Sequence, residues 1–81
     1  MFVCKVIGAV VASQKEEGLV GKKLLLCERQ DGRTRSRLVA VDLVGAGPGT
    51  EVLVARRYGG IGEGCIDDEI VAIVDSITLQ Q

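Results

Sequence analysis

Apolar residues gather in five stretches, each of strand length and each bounded by residues that favour turns. The first, Phe2 to Ala12, is rich in Val and Ile and has Gly8 inside it. A glycine within a strand predicts a bulge or a tight bend. The second, Lys23 to Glu28, follows the Gly18 to Gly21 turn region, and the third spans Arg35 to Asp42. The fourth, Glu51 to Arg57, comes after Gly45-Ala46-Gly47-Pro48-Gly49, and the fifth runs from Glu69 to about Leu79. Asp31-Gly32, between the second and third, is a hairpin signal.

The fifth stretch also fits a helix. Ile70, Val71, Ile73, Val74 and Ile77 make a helical stripe, and Asp67-Asp68-Glu69 would suit a helix start. Its β-branched residues, and the alternation of polar and apolar residues in Asp75-Ser76-Ile77-Thr78-Leu79, favour a strand instead. Five short strands with glycine-rich turns predict an all-β fold, and the natural candidate is a small five-stranded OB-like Greek-key barrel. No linker or repeat divides the 81 residues, so residues 1–81 are expected to form a single domain.

Composition makes this barrel unusual in what fills it. Hydrophobic residues are 47% of the chain but aromatics only 2%, namely Phe2 and Tyr58. Small aliphatic side chains must therefore supply the core of a domain that buries only about 60% of its unfolded surface. Domains of this size often add disulfides, a metal or partner subunits. The chain has no His, which removes the commonest metal ligand and excludes Ser-His-Asp and Cys-His catalysis in their usual forms. Cys4, Cys27 and Cys65 have spacings that suit neither a zinc site nor a disulfide framework, and they read as small buried hydrophobes in a reducing compartment. Partner subunits remain as the route to stability. The apolar run Val6 to Ala12 is far too short for a membrane span, and the expected location is the cytoplasm. A net charge of −1 gives no general attraction to nucleic acid or an anionic membrane.

Three groups of residues invite a chemical reading. Gly45-Ala46-Gly47-Pro48-Gly49-Thr50 resembles a phosphate loop, yet Glu51 stands where the P-loop lysine belongs and a strand follows rather than a helix. Gly60-Ile61-Gly62-Glu63-Gly64 fails for similar reasons. Arg29, Arg33, Arg35 and Arg37 form one basic cluster, and on a strand Arg33, Arg35 and Arg37 would share a face. An OB-type barrel with such a face could bind single-stranded nucleic acid, but those sites stack bases on aromatics, and none lies near. An arginine-rich surface meeting a partner's carboxylates fits better. Asp67, Asp68 and Glu69 read as a solvated strand edge that discourages wrong pairing. No catalytic constellation is assembled, and neither a cofactor nor a metal is implied.

The order of motifs resembles one family. Lys5-Val6-Ile7-Gly8-Ala9-Val10-Val11-Ala12-Ser13-Gln14-Lys15 is similar to the first strand and turn of the pentameric vertex proteins of bacterial microcompartments. Leu19-Val20-Gly21-Lys22-Lys23-Leu24-Leu25-Leu26 is similar to the stretch that follows in that family. The most specific block runs from Val39-Ala40-Val41-Asp42-Leu43-Val44-Gly45-Ala46-Gly47 to Val54, and Ile66 to Asp75 resembles the closing strand. One departure is Arg56-Arg57-Tyr58-Gly59-Gly60-Ile61-Gly62-Glu63-Gly64, where the family usually carries a Gly-Ser-x-Ala-Arg loop.

The resemblance implies an OB-like barrel assembled as a cyclic pentamer that plugs the fivefold vertices of a shell tiled by hexameric shell proteins. It implies a structural protein of the microcompartment shell, as in carboxysomes and ethanolamine compartments, and not an enzyme. An OB-type single-stranded nucleic-acid-binding module is the alternative. A crowded symmetry axis suits glycine-rich backbone, which places Gly45, Ala46 and Gly47 at the fivefold axis, with Gly45→Val expected to impair the ring. Lys22, Lys23, Arg29 and Arg33 are candidates for the edge that meets hexamers.

Overall fold

The computed structural model describes residues 1–15, 17–30, 35–56 and 68–79. Five strands account for most of them: β1 (Phe2–Val10), β2 (Leu24–Arg29), β3 (Arg37–Asp42), β4 (Glu51–Arg56) and β5 (Asp68–Ile73). Their order around the sheet is β1-β2-β3-β5-β4, and β4 pairs with β1 to close a barrel. Every ladder is antiparallel except β3 with β5, where Val41 lies beside Glu69 and Asp42 beside Ile70. This order is compatible with the expected OB-like Greek key. Closure leaves no sheet edge, which suits a domain with so few bulky side chains.

Alternation along the strands fills the interior. On β1, Cys4 and Val6 are buried between exposed Lys5 and Ile7. The predicted irregularity at Gly8 is present: Val6 pairs with Cys27 but Gly8 with Leu26, so Ile7 is the extra residue of a bulge. The core joins Cys4, Val6, Leu25, Cys27, Ala40, Ala46, Val52, Val54 and Ile70, with Phe2 and Leu38 packed against it. Cys4 and Cys27 are buried thiols that form no disulfide, packed as small apolar side chains would be. Cys65 lies outside the described residues.

Several strand ends depart from the apolar pattern. β1 finishes at Val10, opposite Leu24, the first residue of β2, so Val11 and Ala12 lie beyond that ladder. β3 begins at Arg37, opposite Glu28, and not at Arg35. β5 is a strand and not a helix, and it ends at Ile73 rather than Leu79. Its last ladder partner is Val52, and the Val74 N–H then donates to the Glu51 carbonyl at 2.9 Å, at the start of β4. Among the described residues, no strand lies past that point for β5 to pair with.

The acidic start of β5 is another correction. Asp68 and Glu69 are buried, not a solvated edge, because β5 is flanked by β3 and β4. Asp68 is held by Arg56, whose Nε and Nη2 donate to its two carboxylate oxygens at 2.8 and 3.1 Å. A paired guanidinium of this geometry is what lets a carboxylate sit in a barrel wall. Asp67 and the Asp31-Gly32 hairpin signal lie outside the described residues.

Candidate functional site

The glycine-rich turn between β3 and β4 is built around the side chain of Asp42, the last residue of β3. The N–H groups of Val44 and Gly45 each donate to Oδ1 at 3.0 Å, and that of Ala46 donates to Oδ2 at 2.9 Å. Lys23, just before β2, donates from Nζ to the Ala46 carbonyl at 3.0 Å and stands 3.4 Å from Asp42 Oδ2. The carboxylate side chain is only 1% exposed. Burying it is tolerable because three N–H groups and an ammonium replace its water. An Asp that folds the next turn onto itself is a recognisable pattern, and the sequence reading had missed its role here.

The clamp also settles the phosphate-loop question in physical terms. Successive N–H groups converging on one point form a nest that attracts anions. Here the anion is already supplied by the chain itself.

Far from the clamp, the turn is fastened to the β1 bulge. Gly49 N–H donates to the Val6 carbonyl at 2.8 Å, and Val6 N–H donates to the Thr50 carbonyl at 2.9 Å. The Thr50 hydroxyl donates to the Gly47 carbonyl at 2.6 Å. Within this frame the three expected axis residues differ. Ala46 is fully buried and belongs to the barrel core of the protomer. Gly45 is exposed, with φ at +81°, a backbone setting that an L side chain strains to adopt. Gly47 has no such φ, and a Cβ placed there meets nothing within 4 Å.

The four expected partner-facing cations are not brought together. Lys22 and Lys23 precede β2, whereas Arg29 ends it, so they sit at opposite ends of that strand. Lys23 serves the Asp42 clamp, and Arg33 lies outside the described residues. Arg29 lies over the Phe2 ring at 4.2 Å from its centroid, and Arg56 lies near the same ring at 5.2 Å. Phe2 is thus the one described aromatic, and it is occupied by guanidinium groups. A polar depression between Lys5, Glu28, Arg29, Gln30 and Arg35 has no aromatic among its described lining residues on which a base could stack. Arg37 pairs with Glu28 at 3.4 Å, which takes another member out of the basic cluster.

The acidity of Cys27 is displaced by its surroundings. Its pKa is raised, first by burial and then by the negative charges of Asp42 and Asp68. The folded barrel therefore holds the neutral thiol, while an unfolded chain would ionise at about pH 8.5. That contribution to stability is complete below the unfolded pKa and is lost as pH rises above it. The thermal midpoint should fall as pH climbs beyond about 8.5, and Cys27→Val should make that fall shallower. Equal slopes for the two proteins would remove Cys27 as the cause. No group of His, Cys, Asp and Glu among the described residues is arranged to hold a metal ion.

Comparison with known proteins extends these observations. Over 96% of its length the chain is 44% identical to the microcompartment shell vertex protein PduN of Salmonella typhimurium, covering 99% of that protein. It is 42% identical to the shell vertex protein GrpN of Rhodospirillum rubrum, over 95% of this chain and 96% of the other. The solved structure of the Rhodospirillum GrpN pentameric microcompartment shell protein superposes with a TM-score of 0.86 at 38% identity, covering 100% of both chains. Residues 1–75 match the family described as "Ethanolamine utilisation protein EutN/carboxysome". With the closed barrel, the clamped glycine turn and the expected motif order all carried on one chain, this protein belongs to that EutN/carboxysome family.

Proposed function

We propose that this chain is a structural protein that forms a closed pentamer and caps the fivefold vertices of a bacterial microcompartment shell in the cytoplasm. The observation that carries this reading is the likeness to the pentameric GrpN shell protein over the full length of both chains. The physical setting agrees with it. A barrel whose largest fully buried side chains are Leu25 and Ile70 has little core to spare, and it gains stability from surface buried between copies. A head-to-tail contact that closes after a few copies makes a ring with one axis.

The pentamer acts through geometry. Flat facets of hexameric shell proteins cannot close at a corner, and a fivefold unit fills the gap and seals the diffusion barrier around the enclosed enzymes. No residue is asked to do chemistry. Gly45 and Gly47 stand nearest the axis in this reading, while Ala46, Asp42 and Lys23 hold the turn in place from behind.

The test is absolute mass by light scattering under reducing conditions, followed by co-assembly with hexameric shell proteins. The expected mass is about five protomers, as a closed fivefold ring requires. The expected shells are closed with the protein and open at the corners without it. A stable monomer, or a ring of another order, would remove the vertex role.

A further inference from the structure

Residues 74–79 leave the barrel, and among the described residues there is no strand for them to join. Among the described residues, the bond from Val74 N–H to the Glu51 carbonyl is the last backbone link between this segment and the barrel. Nevertheless, Asp75-Ser76-Ile77-Thr78-Leu79 keeps the polar–apolar alternation of a half-buried strand. Ile77 is 58% exposed and Leu79 85% exposed. Along an extended chain these two share a parity with Ile73, itself 43% exposed on β5, so the bare aliphatic side chains continue one line off the barrel wall.

We infer that residues 75–79 dock on the adjacent copy of this chain in the ring, with Ile77 and Leu79 buried against it. The inference rests on the pentamer reading. A second copy is favoured over other occupants by two observations. The likeness to the pentameric GrpN protein covers 100% of this chain, so it includes this segment. A head-to-tail ring also needs every copy to present two different surfaces, one that gives and one that receives. A projecting segment that contributes no ladder to its own barrel is suited to be the giving surface. Each copy then covers its neighbour's wall, and ring closure leaves no tail exposed.

The test compares the unaltered chain with the double variant Ile77→Ser/Leu79→Ser and with a chain ended after Val74. Light scattering on dilution reads the ring, and thermal melting of the dissociated protomer reads the barrel. Removing two buried aliphatic contacts per interface should raise the concentration at which the ring falls apart by about 100-fold or more. The melting of the separated barrel should stay unchanged. A ring that resists dilution equally in all three proteins overturns the inference, including the case where the variants form rings but no longer enter shells. A lowered barrel melt in the double variant also overturns it, because the segment would then belong to its own chain. A monomeric unaltered chain sinks the pentamer reading and this inference with it, whereas an intact ring with unaffected variants sinks the inference alone.

Discussion

Asp42→Ala is expected to lower the thermal midpoint of the protein by about 10–25 °C. The variant removes an acceptor from three backbone N–H groups at once and leaves the Lys23 ammonium without its anion. Hydrogen bonds to a charged acceptor are worth about 1.5–3 kcal/mol each, but they do not add. Water can reach Val44 and Gly45, both exposed, whereas the Ala46 N–H sits against the barrel core. A net loss of about 3 kcal/mol follows, and in a domain of this size each kcal/mol moves the midpoint by about 4–8 °C. The loss is a large share of the roughly 5–15 kcal/mol that holds such a domain together. Lys23→Met should cost less than about 1 kcal/mol, because its ammonium is half exposed and the three N–H donors remain. Calorimetry on the two variants gives the ranking, and hydrogen exchange at Val44, Gly45 and Ala46 locates the damage. An Asp42→Ala midpoint within a few degrees of the unaltered chain would mean that the turn holds its shape without the carboxylate.

How much of this was legible in the sequence depends on which physical question is asked. The apolar identity of β1 to β5 and the irregularity at Gly8 were readable, because each is a property of one segment and its own side chains. Strand length was not. Residues 75–79 alternate polar with apolar, yet they form no ladder among the described residues, since β4 begins at Glu51. A sequence pattern says which side chains can share a face, and only the fold says whether a neighbour exists. Burial of Asp68 and Glu69 was misread for the same reason: a carboxylate run looks like an edge until two strands flank it. The Asp42 clamp carries a sequence signal, an Asp followed within four residues by a glycine-bearing turn, which a glycine-rich phosphate loop also resembles. Lys23, an expected partner-facing cation, also donates to the chain's own turn.

That same turn separates two roles for glycine which the sequence had merged. Gly45→Val is an ambiguous test of the fivefold axis, because at φ +81° any side chain costs about 1–2 kcal/mol in the protomer before a neighbour is met. Gly47→Val avoids this. Its backbone is not in the left-handed region, and a Cβ there meets nothing within 4 Å in the single protomer. The protomer should therefore melt within about 0.5 kcal/mol of the unaltered chain. If Gly47 approaches the axis, five copies bring five branched side chains into the space that bare backbone occupied, and the ring has no way to relax without opening. The expected result is loss of the five-protomer species in light scattering while the barrel melts as before. Gly45→Ala should show the reverse order of effects, a weakened barrel first and a ring affected only through it. A Gly47→Val protein that still forms the full ring would place this turn away from the axis, and the absence of a side chain at Gly47 would then need a cause within the shell rather than within the pentamer.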